Sequence, residues 1–219
     1  MDLIQRLNQH HPKVIDLSLD RISRLLKLLG NPQKSLPPVI HIAGTNGKGS
    51  TLAFIRAIAE AAGLSVHAYT SPHLLKFNER IRINGEIISN QKLLKLMTEV
   101  ERINGDAPIT FFEITTAIAL IAFSRTPSDL VLLETGLGGR LDATNVIARP
   151  TVTALTPISY DHAGFLGNDI EGIAREKAGI IKQGTACVTS KQEPLVLEII
   201  KNTAENKNAP ISIEDEDWW

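Results

Sequence analysis

Gly44-Thr45-Asn46-Gly47-Lys48-Gly49-Ser50 stands between a compact β-type run at 39–43 and a helix-like stretch at 52–62 that stops at Gly63. A strand, a glycine-rich loop and a helix in that order aim backbone N–H groups and a helix N-terminus at one point, which is how proteins receive phosphate. Lys48 would meet the β- and γ-phosphates of a nucleotide as a point charge, and Ser50 or Thr51 would offer a hydroxyl to Mg²⁺. The spacing departs from the common P-loop. Only Thr45 and Asn46 separate Gly44 from Gly47-Lys48, where four residues are usual, and Gly49 takes the place of the usual Ser or Thr. The competing reading is a tight βα turn with a solvated lysine, but the glycines in this context favour phosphate.

The rest of the chain repeats the alternation. Strands are predicted at 64–69, 129–134, 151–156, 186–190 and 211–213, and helices at 91–103, 112–125, 168–182 and 193–206. The 168–182 helix carries an Asn168/Glu171 capping-box spacing. Residues 80–88 alternate around Asn84-Gly85, a strong hairpin signal. The fold class is α/β, a largely parallel sheet flanked by helices, in one domain of 219 residues. With 43% hydrophobic and 21% charged residues, wholesale disorder is excluded. The 23 basic and 24 acidic residues nearly cancel, so no bulk field recruits nucleic acid or a membrane. The apolar stretch 114–123 is interrupted by Thr115 and Thr116 and is too short to cross a bilayer. The lone Cys187 and the absence of an apolar signal core in residues 1–13 predict a cytoplasmic protein.

Five blocks together resemble one family, the folylpolyglutamate synthase and dihydrofolate synthase ligases, relatives of the Mur ligases. They are 41–50 with the phosphate loop, 70–74 followed by 77–81, Thr110-Phe111-Phe112-Glu113, 133–145, and 175–180. Residues 15–21 are similar to the family's folate-contacting stretch. The resemblance implies a P-loop fold like the Mur ligase central domain. It further implies an ATP-dependent enzyme that activates a carboxylate as an acyl phosphate and joins it to L-glutamate, acting as a monomer with ATP and two Mg²⁺ ions.

The resemblance also implies the residue roles. Gly44, Thr45, Asn46, Gly47, Lys48, Gly49 and Ser50 hold the nucleotide; Ser71, Glu134, His162 and Ser50 hold metal; Asp16, Arg21, Thr110, Phe111, Phe112, Glu113 and Asp142 face the folate or pteroate. Lys48, His162 and Lys177 are the catalytic candidates. Two of these residues have support of their own. Glu134 ends the apolar run 130–133, so it should emerge at the carboxyl edge of a buried strand, where open α/β sheets bind ligands. Lys177 lies on the apolar stripe formed with Ile170, Ile173, Ala174 and Ile181. It either snorkels to water or is buried, and the family's carboxylated lysine belongs to the second case. His73, Arg80, Arg82 and Arg140 are further candidates for folate carboxylates.

Two other functions fit parts of the pattern. A Mur-type amino-acid ligase shares the loop and the lysine, but the 43 residues before Gly44 are too few for a nucleotide-sugar domain. A nucleotide-binding module without ligase activity is the other. Dihydropteroate and tetrahydrofolate are equally served by the motifs. The resembled ligases continue into a glutamate-binding domain, so this chain is expected to be a truncated ATP-binding domain. Its ending, Glu214-Asp215-Glu216-Asp217-Trp218-Trp219, is expected to have lost its packing partners.

Overall fold

The computed structural model describes residues 18–160 and 169–219. Among them are strands β1 (Val39–Ala43), β2 (Val66–Tyr69), β3 (Ile81–Ile83), β4 (Glu86–Ile87), β5 (Leu130–Glu134), β6 (Val152–Leu155), β7 (Ala186–Thr189) and β8 (Ile211–Ile213). The helices are α1 (Asp20–Leu28), α2 (Lys48–Ala61), α3 (Asn90–Asn104), α4 (Phe111–Ser124), α5 (Ile170–Ala178) and α6 (Pro194–Asn206). The strands form one sheet in the order β4-β3-β2-β5-β1-β6-β7-β8. All neighbours from β2 to β8 pair parallel, while β3 runs antiparallel to β2 and to β4.

The chain leaves β1 towards β2 on one side and later returns to β6 on the other, so β1 marks the topological switch point where such sheets bind ligands. Parallel strands covered on both faces need apolar side chains on both. β5 supplies them: Leu132 packs with Ile42, Ala68 and Leu52 under α2, while Val131 and Leu133 join the cluster around α4. That helix is buried on every side from Glu113 to Phe123. Its two threonines survive burial because Thr115 and Thr116 donate to Phe112 O at 3.0 and 2.8 Å and both meet the Tyr69 hydroxyl at 3.1 Å. A third cluster sets α5 and α6 over Ala43, Leu155 and Cys187. None of the described helices is long and apolar enough to cross a membrane.

Most elements fall where the sequence places them, the Asn84-Gly85 hairpin included, with both residues at positive φ, 49° and 81°. Three expectations need correction. The α5 cap is Asp169, whose carboxylate accepts from Glu171 N at 2.9 Å and Gly172 N at 3.1 Å; Asn168 lies outside the described residues. That helix also ends at Ala178 rather than at residue 182: past Gly179, a poor helix former, Ile180 N and Ile181 N donate to Lys177 O and Ala178 O in tighter i→i+3 turns. Finally, the acidic ending is not a loose tail. Asp217 accepts from Ile213 N, Glu214 accepts from Lys191 N, and Asp215 and Glu216 pair with Lys191 and Lys201 in a compact turn. Trp219 is nonetheless 97% exposed.

Candidate active site at the strand edge

Four loops meet at the carboxyl edge of β2, β5, β1 and β6: residues 70–76, 135–142, 44–47 and 156–160. The phosphate loop is shaped by two glycines. Gly44 has φ +145°, and a Cβ there would overlap the Thr156 hydroxyl and approach Thr156 O at 2.8 Å. Gly47, at φ +84°, turns the chain into α2. The loop is tied to the β6 loop by Thr45 N and Asn46 N, which donate to Pro157 O, and by Thr45 Oγ1, which donates to Ser159 O. The next four N–H groups, of Gly47, Lys48, Gly49 and Ser50, find no acceptor among the described residues. They are the orphan donors of a helix start, aimed outward with the positive end of the α2 dipole. Lys48 folds back, its Nζ donating to Gly44 O at 3.1 Å and Thr45 O at 3.3 Å.

Glu134 closes β5 beside this loop, 5% exposed. A Cβ on Gly49 would stand 3.7 Å from both carboxylate oxygens, which places the acid over the first turn of α2. Its Oε2 accepts from Ser71 N at 3.2 Å. Burial raises the Glu134 pKa, against the pull of the Ser71 N–H, Lys48 and Arg80. Two of the expected metal ligands, Ser71 and Glu134, are thus neighbours, with the Ser50 N–H on the adjacent turn. A carboxylate is a hard-oxygen ligand that suits Mg²⁺ or Mn²⁺, and serine hydroxyls are of the same kind. Among the described residues no group of three His, Cys, Asp or Glu side chains could hold a metal by itself. His162 and Asp16 lie outside the described residues.

Lys177 does not snorkel. It is 2% exposed, and its Nζ donates to Gly44 O at 2.9 Å, linking α5 to the first residue of the phosphate loop across 133 positions. It is held there by an interlock of two motif blocks. A Cβ on Gly139 would lie 2.5 Å from Glu176 O and 2.8 Å from Lys177 O, and Arg140 N donates to Glu176 O at 2.7 Å. Asn145 Nδ2 clasps Arg140 O and Gly179 O.

The expected folate residues divide into two groups. Phe111 and Phe112 are half-buried at the edge; Phe112 leans on Tyr69 with centroids 6.0 Å apart and covers the bare Gly136. Thr110, Glu113 and Arg21 are occupied structurally. Thr110 and Glu113 form a capping box for α4, and Arg21 Nε donates to Glu113 Oε2 at 3.0 Å. Asp142 is likewise enclosed. Its Oδ2 accepts from Gly136 N and Leu137 N, and its Oδ1 from Thr144 N and Thr144 Oγ1. Of the basic candidates, Arg140 pairs with Glu176 and Arg82 Nη1 donates to Gly85 O.

Sequence reasoning passes over His41. It is fully buried on β1, and its Nε2 lies 2.8 Å from Thr144 Oγ1, whose hydroxyl serves Asp142. Burial, with Lys182 nearby, lowers its pKa to about 3, so the ring is neutral. A compact apolar run flags the strand, but nothing local flags a partner 103 residues away. A cavity of about 410 Å³ opens at the opposite edge, between Pro38 and Ser128, and none of the motif residues lines it.

The chain and its fold are similar to known proteins. The Mur ligase middle domain family matches residues 42–219. The dihydrofolate synthase/folylpolyglutamate synthase of Bacillus subtilis is 45% identical over 199 residues, covering 88% of this chain and 46% of that protein. Escherichia coli FolC in complex with DHPP and ADP superposes with a TM-score of 0.90 at 39% identity, over 97% of this chain and 50% of that one. The bifunctional folylpolyglutamate synthase/dihydrofolate synthase of Yersinia pestis complexed with AMPPNP and Mn ion gives 0.88 at 38% identity, over 97% and 51%. The chain spans about half the length of the curated relatives it matches.

Proposed function

This chain belongs to the Mur ligase family through its middle domain, and from that premise we propose that it is the ATP-binding part of a ligase joining L-glutamate to dihydropteroate, to the γ-carboxyl of tetrahydrofolate, or to both. The observation that carries this reading is the meeting of four N–H groups at the start of α2, without an acceptor among the described residues, with the buried Glu134 and the Lys177–Gly44 link, all at one strand edge.

In the first step an oxygen of the acceptor carboxylate bonds to the γ-phosphorus of ATP as the bond to the bridging oxygen breaks, and ADP leaves with that electron pair. The glutamate amine then attacks the acyl carbon, phosphate departs, and the amine loses a proton. The N–H groups from Gly47 to Ser50 hold phosphate oxygens, and Lys48 leaves its loop carbonyls to offset charge on the transferred group. Glu134, with the Ser71 and Ser50 hydroxyls, would hold a divalent ion, which when bound would offset phosphate charge. His162 is proposed for a second such ion, with Asp16 near the acceptor. Lys177 remains the candidate for carboxylation; clear density ending in a plain ammonium, in crystals grown with bicarbonate, would count against it. The flat faces of Phe111 and Phe112 suit a pteridine ring. The glutamate site is proposed to lie outside this chain, so residues 1–219 should turn over slowly. We also propose a cytoplasmic monomer without a nucleic-acid partner, given the nearly balanced charge and the buried Cys187.

Hydroxylamine tests the acyl phosphate without needing the glutamate site. Incubated with ATP, Mg²⁺ and either acceptor, the chain is expected to yield the acceptor hydroxamate and one phosphate per product. Nucleotide binding with no hydroxamate from either acceptor would favour the non-catalytic module.

A further inference from the structure

Arg80 is 9% exposed, and among the described residues no carboxylate lies within ion-pair distance of it. Its Nε donates to His73 Nδ1 at 3.0 Å; Nη1 and Nη2 donate to no described residue. The side chain is enclosed, yet Nη1 and Nη2 are not among the buried unpartnered polar atoms, so the unpaired end of the fork reaches solvent, where an anion can meet it. The fork is also held rigidly. Cζ stands 5.7 Å from the Phe77 ring centroid and 5.8 Å from that of Phe111, and those rings meet edge to face. Since His73 accepts the Nε proton through Nδ1, its ring is neutral, and Arg80 is the cation at this spot.

Its place in the sheet gives the direction. Ile81 pairs with Tyr69, and Thr70 N donates to Arg80 O at 3.0 Å, so Arg80 abuts the β2 loop one residue before Ser71. Ser71 N in turn binds Glu134. Glu134 therefore has the phosphate-loop lysine on its β1 side and Arg80 on its β2 side, and both cations act on its carboxyl. The reaction brings two anions together, the γ-phosphate and the carboxylate that attacks it. Lys48 and the start of α2 serve the first. A planar fork fixed between two rings on the other side suits the second, because guanidinium binds carboxylate through two parallel hydrogen bonds.

We propose that Arg80 clamps the acceptor's carboxylate and presents it to the phosphate site, a proposal that rests on the ligase reading above. The Phe77–Phe111 pair then has a role as well: its rings hold the fork at one end of the acceptor site that Phe111 and Phe112 are proposed to line.

The test is the affinity of the whole chain, with Mg·AMPPNP present, for dihydropteroate and for its uncharged carboxamide. The wild type is expected to prefer the acid, and Arg80→Met to weaken acid binding by about 10- to 100-fold, as for a lost charge-assisted hydrogen bond, while leaving the amide unchanged. Arg80→Lys should restore only part of the preference. Equal loss of acid and amide, or loss of Mg·AMPPNP affinity, would make Arg80 a packing or phosphate residue and overturn the clamp. A retained acid preference in Arg80→Met would overturn it alone. Wild-type protein that binds nucleotide but neither pteroate form would instead overturn the acceptor reading on which the clamp depends.

Discussion

Gly139→Ala tests whether the two motif blocks position Lys177 by direct backbone contact. The new Cβ would lie 2.5 Å from Glu176 O, 2.8 Å from Lys177 O and 2.9 Å from Lys177 Cα, all main-chain atoms of the last turn of α5. No flexible side-chain end can yield, so the turn must move by several tenths of an ångström, straining the 2.7 Å bond from Arg140 N to Glu176 O. Overpacking of this kind costs about 1–3 kcal/mol, and weakening a buried backbone bond adds about 1 kcal/mol. For a chain of this size the midpoint of thermal unfolding should fall by roughly 4–15 °C. The Arg140–Glu176 ion pair, 58% exposed on the arginine side, contributes little to this. Because Lys177 moves with the turn, its bond to Gly44 O is also disturbed, and Mg·AMPPNP affinity should fall. Calorimetric melting and nucleotide titration read the two effects. An unchanged midpoint would refute the packing argument; a lowered midpoint with full nucleotide affinity would refute the coupling to the phosphate loop.

Other outcomes follow from individual contacts. Gly44→Ala, at φ +145° against Thr156, should cost more than about 2 kcal/mol in urea unfolding, whereas Gly49→Ala, whose Cβ meets Glu134 only at 3.7 Å, should stay within about 0.5 kcal/mol; equal effects would contradict the loop geometry. His41 has a folded pKa near 3 against 6.5 unfolded, so the unfolded chain binds its proton first. The stability it contributes is complete above pH 6.5 and declines by up to about 1.4 kcal/mol per pH unit as acid is added. His41→Asn should remove that share of the pH slope between pH 6 and 4, and denaturation curves with unchanged slope would show that His41 is not the group responsible. Asp142→Asn faces the Gly136 and Leu137 N–H groups with an amide and should lower stability by about 1–3 kcal/mol, with nucleotide affinity intact in the folded protein. A stable Asp142→Asn chain that loses only pteroate binding would instead assign Asp142 to the substrate.

The parts legible in the sequence are those fixed by local pattern. A strand, three glycines and a lysine announce the phosphate loop because each residue type answers a backbone requirement at that spot. Glu134 is legible because a polar residue ending an apolar run has to leave the sheet at its edge. Helical spacing puts Lys177 on the buried stripe, but only tertiary structure names Gly44 as its neighbour.

The same limit explains what the sequence does not show. Arg21 and Glu113 meet across 92 positions only once α1 and α4 pack together, and Asp142 gains its donors from Gly136, Leu137 and Thr144 only once its loop closes around it. Spacing misplaces the α5 cap by one residue because Asn168 stands at the capping-box distance from Glu171, whereas Asp169, an equally good cap type, accepts from Glu171 N and Gly172 N without that spacing. The acidic ending reads as unpaired in the sequence since Lys191 and Lys201 reach it only once α6 packs beside β8.

The central claim is that the strand edge binds a metal–nucleotide complex through the α2 start and Glu134. Titration calorimetry of AMPPNP into the chain, with and without Mg²⁺, for wild type and Glu134→Gln, tests it most directly. The account predicts binding that Mg²⁺ strengthens by about 10-fold or more in the wild type, and a Glu134→Gln chain that keeps the metal-free affinity but loses the gain, as expected when a hard-oxygen ligand is removed. The same Mg²⁺ gain in both proteins, or no nucleotide binding by the wild type, would contradict it.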